Sequence, residues 1–301
     1  MILNSQSAEI INQFKVTNDS FRISEAKTKW EGTPKMQDVE AKGLKKGLKN
    51  YLKSNLESLK EAQELLWASD KRSILIVLQA MDAAGKDSTI KHVMSGVNPQ
   101  GVTVNSFKAP NTEELEHNWL WRYTKRMPER GKIGIFNRSY YEEVLVVKVH
   151  PEFLAARPLP TYNFDQSFWD GRYTDVNNME AHLTRSGTTI LKFFLHVSQE
   201  EQKNRFLDRL NEPDKLWKFS EGDMKERALW PKYMQAFEEA IRATSTPESP
   251  WYVIPADDKW KMRALVSMII RDTISNMDLK FPVVDESEKA RFNEIRKELL
   301  K

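Results

Sequence analysis

An aliphatic run that feeds a Gly-Lys loop constrains this chain more than any other feature. Residues 73–88 read Ser-Ile-Leu-Ile-Val-Leu-Gln-Ala-Met-Asp-Ala-Ala-Gly-Lys-Asp-Ser. Every residue from Ile74 to Leu78 is apolar, the pattern of a parallel strand buried on both faces. A short loop ending in Gly85-Lys86 follows, then a helix-like segment. Strand, loop and helix in that order build a phosphate cradle. Glycine lets the backbone approach an anion, successive N–H groups point inward and lysine adds a point charge. The cradle candidates are Ala84, Gly85, Lys86, Asp87 and Ser88.

The loop departs from the general pattern G-x-x-x-x-G-K-[ST]. Ala80 replaces the first glycine and Asp87 replaces the hydroxyl residue. Asp82 lies inside the loop, where a carboxylate beside phosphates needs a divalent cation between them. An ordinary strand-to-helix turn with Asp82 as N-cap is the competing reading.

Strand-like stretches at 73–79, 102–107, 132–136, 189–197 and 251–254 alternate with helical ones. The helices are expected at 43–67, 87–96, 112–125, 140–147, 165–186, 198–210, 223–243 and 259–277, with a charged terminal one at 286–301. This alternation predicts an α/β fold: a parallel five-stranded sheet with helices on both faces. Ligands of such sheets bind at the carboxyl ends of the strands, so the loops after Gln79, Phe107, Phe136 and Val197 should share one rim.

At that rim the second strand-end reads Phe136-Asn-Arg-Ser139. Asn137 can ligate a metal or its water through its carbonyl. Arg138 and Glu142, four apart, suit a phosphate and a metal or acceptor, or simply form an i,i+4 pair of about 0.3–0.5 kcal/mol. Arg205 and Arg209 precede a Pro-, Gly- and charge-rich link at 211–223, as in a mobile flap closing on phosphates or in a solvated helix. Lys108 ends a strand on the rim. Arg122 sits in Trp119-Leu-Trp-Arg, where it either binds phosphate or stacks on an indole. Asp257-Asp258 is expected to be an N-cap.

The chain has 301 residues, 40% hydrophobic and 30% charged, enough for a sizeable core. A net charge of +3 does not argue for nucleic acid. There is no cysteine, which suits a reducing cytoplasm and excludes thiolate metal sites. The start, Met1-Ile-Leu-Asn-Ser, lacks a leader pattern, and no apolar run reaches the ~20 residues of a membrane span. The five histidines show no metal-ligand spacing.

Taken together, these motifs resemble the polyphosphate kinase 2 family. The likeness rests on Ala80-Met-Asp-Ala-Ala-Gly-Lys-Asp87, Phe136-Asn-Arg-Ser-Tyr-Tyr-Glu142, Lys192-Phe-Phe-Leu-His-Val-Ser198 and Trp251-Tyr-Val-Ile-Pro-Ala-Asp257. Asn137 with Glu142 is most similar to class III, which phosphorylates AMP and ADP. The resemblance implies a P-loop kinase fold with a helical lid at about 205–230. It implies transfer from polyphosphate to adenine nucleotides (AMP, ADP, ATP) with Mg²⁺ or Mn²⁺, and a homo-oligomer, tetramer or dimer. In that scheme Asp82, Lys86, Asn137, Arg138 and Glu142 are catalytic. Asp82 and Glu142, with Asn137 as an optional third, hold the metal. Lys86, Arg138 and the Arg205/Arg209 region meet phosphates. The expected organisation is an arm at 1–40, a catalytic domain at 41–282 and a terminal helix at 283–301. An NTP-dependent nucleotide kinase and a non-catalytic polyphosphate- or nucleotide-binding module are the alternatives that the residues leave open.

Overall fold

A computed structural model describes residues 7–17, 20–155, 157, 159–160 and 163–301. The reading of Met1 to Ser5 lies outside them. The strands are β1 (Ser73–Gln79), β2 (Val102–Ser106), β3 (Ile133–Asn137), β4 (Thr188–His196) and β5 (Trp251–Pro255). They form one parallel sheet in the order β2-β3-β1-β4-β5. Each starts or ends within two residues of its aliphatic run in the sequence. β1 is central and buried at every residue, as its unbroken apolar pattern requires.

The longer helices are α1 (Ala41–Ser69), α2 (Lys86–Val93), α3 (Gln166–Arg185), α4 (Gln199–Asn211), α5 (Glu221–Ala228), α6 (Trp230–Thr244), α7 (Lys259–Ser275) and α8 (Glu286–Leu299). α1 buries Leu48, Leu52, Leu59 and Leu66, one apolar stripe at helical spacing, and packs on α7. Asn55 of α1 donates to Ser267 of α7 at 3.0 Å, so the buried polar pair is satisfied. α3 packs against β4 and α6. Chain 7–17 is tied to the sheet edge: Val16 N–H donates to Trp251 O at 2.8 Å and Val253 N–H to Phe14 O at 2.9 Å.

Three expected helices break, two of them for a visible local reason. The segment 112–125 splits into Thr112–Glu116 and Trp121–Thr124, where the Asn118 side chain accepts from Leu120 N–H and holds a turn ahead of the second helix. The segment 140–147 opens as a 3₁₀ turn, Tyr140–Glu143, before Val146–Val149. The segment 223–243 divides at Leu229, since Pro231 has no N–H to continue a helix and sits instead in the first turn of α6.

One buried network joins the layers. Lys192 on β4 donates to Glu180 on α3 and to Thr244 O, both at 2.6 Å. Glu180 also accepts from Tyr140 and Tyr141 hydroxyls at 2.8 Å each and from Ser249 at 2.8 Å. Lys192 and Glu180 are 0% and 1% exposed, and every lone pair has a donor, which is what makes a buried ion pair tolerable. Burial drives the Lys192 ammonium down and both tyrosine hydroxyls up. The network fixes the turn that follows β3.

Candidate active site

The loop between β1 and α2 contains two left-handed residues, Ala83 (φ +61°) and Gly85 (φ +110°). The value at Gly85 suits only glycine, and a side chain there would press on Ser88 Oγ at 3.3 Å. Lys86 Nζ folds back to Ala80 O (2.8 Å) and Met81 O (3.4 Å), so its charge lies over the loop's own mouth. Ser88 and Thr89 hydroxyls both donate to Gly85 O, at 3.0 and 2.9 Å. The Asp87 carboxylate accepts from Asn137 Nδ2, which leaves only the Asp87 N–H for an anion.

At the end of β3, Arg138 also takes a left-handed backbone, φ +64°. Its N–H donates to Leu78 O at 3.1 Å, anchoring the turn to β1. A non-glycine residue there costs about 1–2 kcal/mol and persists only where surroundings impose it. The turn carries the guanidinium 3.0 Å from Asp82 and 3.8 Å from Glu142. Gln79 donates to Ser139 Oγ at 3.1 Å and braces the same turn. Burial pushes the Glu142 carboxyl up, against the pull of Arg138 and Lys86. Burial pulls the Lys86 ammonium down, while Asp82 opposes it. Glu142, then Asp82, hold Arg138 above its ordinary range despite burial. Asp82, Lys86, Arg138 and Glu142 thus form one coupled charge cluster.

Two cavities meet at this cluster. An inner one of about 200 Å³ is lined by Asp82, Arg138, Glu142, Glu226 and Tyr233. An outer one of about 320 Å³ runs past Phe107, Lys108, Arg122, Tyr123 and Arg157. They share Arg138, Glu142, Val146 and Phe153. Arg122 donates to Lys108 O at 2.9 Å and lies over Phe107 and Tyr123, 5.4 Å from each ring. Its stacking partners are therefore not the neighbouring indoles; Arg172 takes Trp119 instead, at 4.6 Å.

The flap arginines are placed differently from the sequence expectation. Arg205 is 5% exposed and bonds Ala83 O, Ala84 O, Ala256 O and Asp257 O at 2.6–3.2 Å. It clamps the loop's carbonyls to the end of β5 through its two Nη groups, while its Nε donates to Glu201 at 2.7 Å, so it shapes the cradle from beneath. Arg209 donates to Lys218 O at 3.0 Å and pairs with Asp223 at 3.4 Å, inside the 211–223 link. Asn137, read as a metal donor, spends its amide on Asp87. Asp258 does cap α7, accepting from Trp260 and Lys261 N–H, while Asp257 accepts from Ser198 N–H.

Sequence reasoning missed Glu143, Arg157, Tyr233 and Asp223. Glu143 takes Arg157 at 2.6 Å and Arg172 at 3.2 Å, pairings of 14 and 29 residues' separation that no local spacing announces. Only the doubled acid Glu142-Glu143 gave a hint.

The family model described as Polyphosphate kinase 2 (PPK2) matches residues 44–282. The chain belongs to the polyphosphate kinase 2 family. It is 49% identical over 251 residues to an ADP-polyphosphate phosphotransferase of Rhodopseudomonas palustris, covering 83% of this chain and 87% of that one. It is 47% identical over 224 residues to an AMP/ADP-polyphosphate phosphotransferase of Meiothermus ruber, covering 74% and 80%. The crystal structure of Polyphosphate Kinase 2 from Arthrobacter aurescens TC1 superposes with a TM-score of 0.81 at 37% identity, covering 96% of both chains. The five-stranded parallel sheet with its helices is thus the PPK2 fold.

Kinases of this family work with a divalent metal. The donor set fits one: Asp82 and Glu142 present carboxylate oxygens on either side of Arg138. Among the described residues no three His, Asp or Glu side chains converge to hold an ion alone. A hard cation held by one or two carboxylates, with phosphate oxygens and water completing its shell, matches that geometry.

Proposed function

We propose that this protein transfers the terminal phosphoryl group of polyphosphate to AMP and ADP, giving ADP and ATP, in a reversible reaction. The observation that carries this reading is the meeting of two cavities at Arg138 and Glu142, directly beside the Lys86 loop. The donor's end lies on the loop, against backbone N–H groups and Lys86. The acceptor lies in the outer cavity, its base between apolar walls that include Phe107 and Leu115, and its phosphates toward Lys108, Arg122 and Arg138. A non-bridging oxygen of the acceptor's last phosphate attacks the terminal phosphorus. The bond to the bridging oxygen breaks, and the shortened chain leaves with the electron pair. No proton has to move, because the acceptor phosphate is already ionised.

The difficulty is repulsion between two anions. Two unit charges 4 Å apart cost about 1 kcal/mol in water but about 4 at an effective dielectric of 20. Lys86 and Arg138 offset that cost at the meeting point. Asp82 and Glu142 would hold Mg²⁺ or Mn²⁺, which supplies further neutralisation of the phosphate oxygens when bound. The segment 212–229 is the moving part of the lid, held to α4 by Arg209 through Lys218 and Asp223, whereas Arg205 belongs to the fixed body. The working unit is a homo-oligomer in the cytoplasm, which suits a chain without cysteine; no helix of the described residues is long and apolar enough to cross a membrane.

Relatives at 49% and 47% identity carry ADP and AMP/ADP in their names, so identity does not rank the acceptors. The test is polyphosphate with AMP, without ATP. The expected result is ADP first and ATP after it. Phosphorylation of AMP by ATP alone, with polyphosphate inert, would establish an NTP-dependent kinase instead.

A further inference from the structure

A second basic groove lies behind the cradle, between α1, α2 and α7. It has a volume of about 260 Å³ and is lined by Lys49, Lys53, Lys91, His92 and Trp260. Residues 41–56 contain five lysines and no acid. Among the described residues Lys49, Lys53 and Lys91 are exposed and have no carboxylate within ion-pair distance, whereas Lys60, further along α1, pairs with Glu57. Trp260 is ringed by cations: Lys49 Nζ lies 4.8 Å from its ring centroid and Arg263 Cζ 4.7 Å.

Arg263 is the telling residue. It is 6% exposed, its buried Nε has no partner, and it makes no hydrogen bond or ion pair among the described residues. Arg263 does not line the groove itself but lies against the indole that does, and with its buried Nε unpaired its charge adds to the pull on an anion there. The neighbouring Arg205 adds to the positive field.

The groove is close to the cradle. Lys91 stands five residues beyond Lys86 on α2, about 7.5 Å at 1.5 Å per residue. His92 Nδ1 contacts Ser88 O at 2.7 Å, and Met262 of α7 lies against Gly85. We propose that this groove receives the distal phosphates of the polyphosphate donor, holding a long chain in register while its end reacts on the Lys86 loop. The inference rests on the proposed donor. A loop of this size grips only the chain's end, and the remaining charges need a cationic track. A nucleotide base is the poorer occupant, because Lys49 and Arg263 already lie against the indole.

The test uses the full chain with Lys49→Glu, Lys53→Glu and Lys91→Glu combined, all exposed positions that leave the core intact. The KM for long-chain polyphosphate is expected to rise about tenfold or more, with a shallower dependence on salt than in the wild type. The inhibition constant of tripolyphosphate against the long chain, and the KM for ADP, stay within twofold. Arg263→Met, tested by the same measurements, should show the same length-selective loss. A long-chain KM within twofold of wild type, or a parallel weakening of tripolyphosphate, overturns the groove assignment. RNA or free nucleotide displacing long-chain polyphosphate only from the wild type would assign the groove to that ligand instead. Wild-type protein inert toward polyphosphate would be a different failure, that of the donor itself.

Discussion

Arg138 reaches Asp82 across 3.0 Å from a left-handed backbone at the end of β3, joining the two strand-ends that frame the site. Asp82 is 28% exposed and Arg138 41%, so the pair stabilises the fold by no more than about 0–1 kcal/mol. Its worth is positional. Asp82→Asn should therefore leave the melting temperature nearly unchanged and lower kcat by about 10²–10³, the scale of losing one electrostatic contact to a reacting group. Thermal denaturation beside steady-state kinetics checks both halves. A variant with wild-type turnover would remove Asp82 from the reaction.

Arg205 predicts a mixed outcome. Its guanidinium satisfies four carbonyls on two loops. Arg205→Met leaves them buried and unpaired, at about 1–3 kcal/mol for each group that water cannot reach. Stability and polyphosphate affinity should fall together, as a denaturant titration and a KM measurement would reveal. A KM effect at unchanged stability would instead place Arg205 on the phosphates.

The contrast between these two arginines shows what was legible in the sequence. Strand positions were readable because a strand buried on both faces must be apolar throughout, as Ile74 to Leu78 is. The cradle was readable because Gly85-Lys86 is a local device. Arg205's carbonyl partners lie 51 to 122 residues away, with only Glu201 four residues off, and Glu143's arginines come from separate segments, so spacing along the chain carried no trace of the carbonyl clamp or of the Glu143 pairs. Pro231 was a visible helix breaker that the apolar period of 223–243 concealed.

Glu142 should trade stability for function. Burial raises its folded-state pKa above the unfolded value. Its stabilising contribution is thus full below the unfolded pKa and is lost as pH rises through the folded one. Above that point the charged carboxylate, 20% exposed, weighs against folding. Glu142→Gln should melt progressively higher than wild type as pH rises from about 4.3, the ordinary Glu value, toward neutrality. Its activity should meanwhile fall by about 10²–10³. Melting curves across pH test the sign; a stability gain that shrinks with rising pH would contradict it.

The Lys192–Glu180 pair should behave in the opposite way. Either single change, Lys192→Met or Glu180→Gln, breaks a fully buried pair, at about 3–5 kcal/mol. The double variant should recover part of that loss, because it leaves no lone charge. Since Tyr140 and Tyr141 both donate to Glu180, the turn bearing Glu142 should loosen as well. Denaturant midpoints for the three variants measure the coupling, and additive losses would show that the pair does not act as a unit.

Asn137 offers the sharpest test of the loop's chemistry. Its amide donates to the Asp87 carboxylate, in the place where a phosphate loop ordinarily has a hydroxyl. Asn137→Asp would set two carboxylates at hydrogen-bond distance. Like charges that close cannot both ionise freely, so one pKa must rise unless a divalent cation bridges them. Two changes are expected together: the acid limb of kcat/KM moves to higher pH, and half-maximal activity is reached at a lower Mg²⁺ concentration. Adding Asp87→Asn to the first change restores one amide and one carboxylate, and with them the wild-type profile. If Asn137→Asp alone shifts neither the pH limb nor the Mg²⁺ requirement, the Asn137–Asp87 contact is not part of the working site.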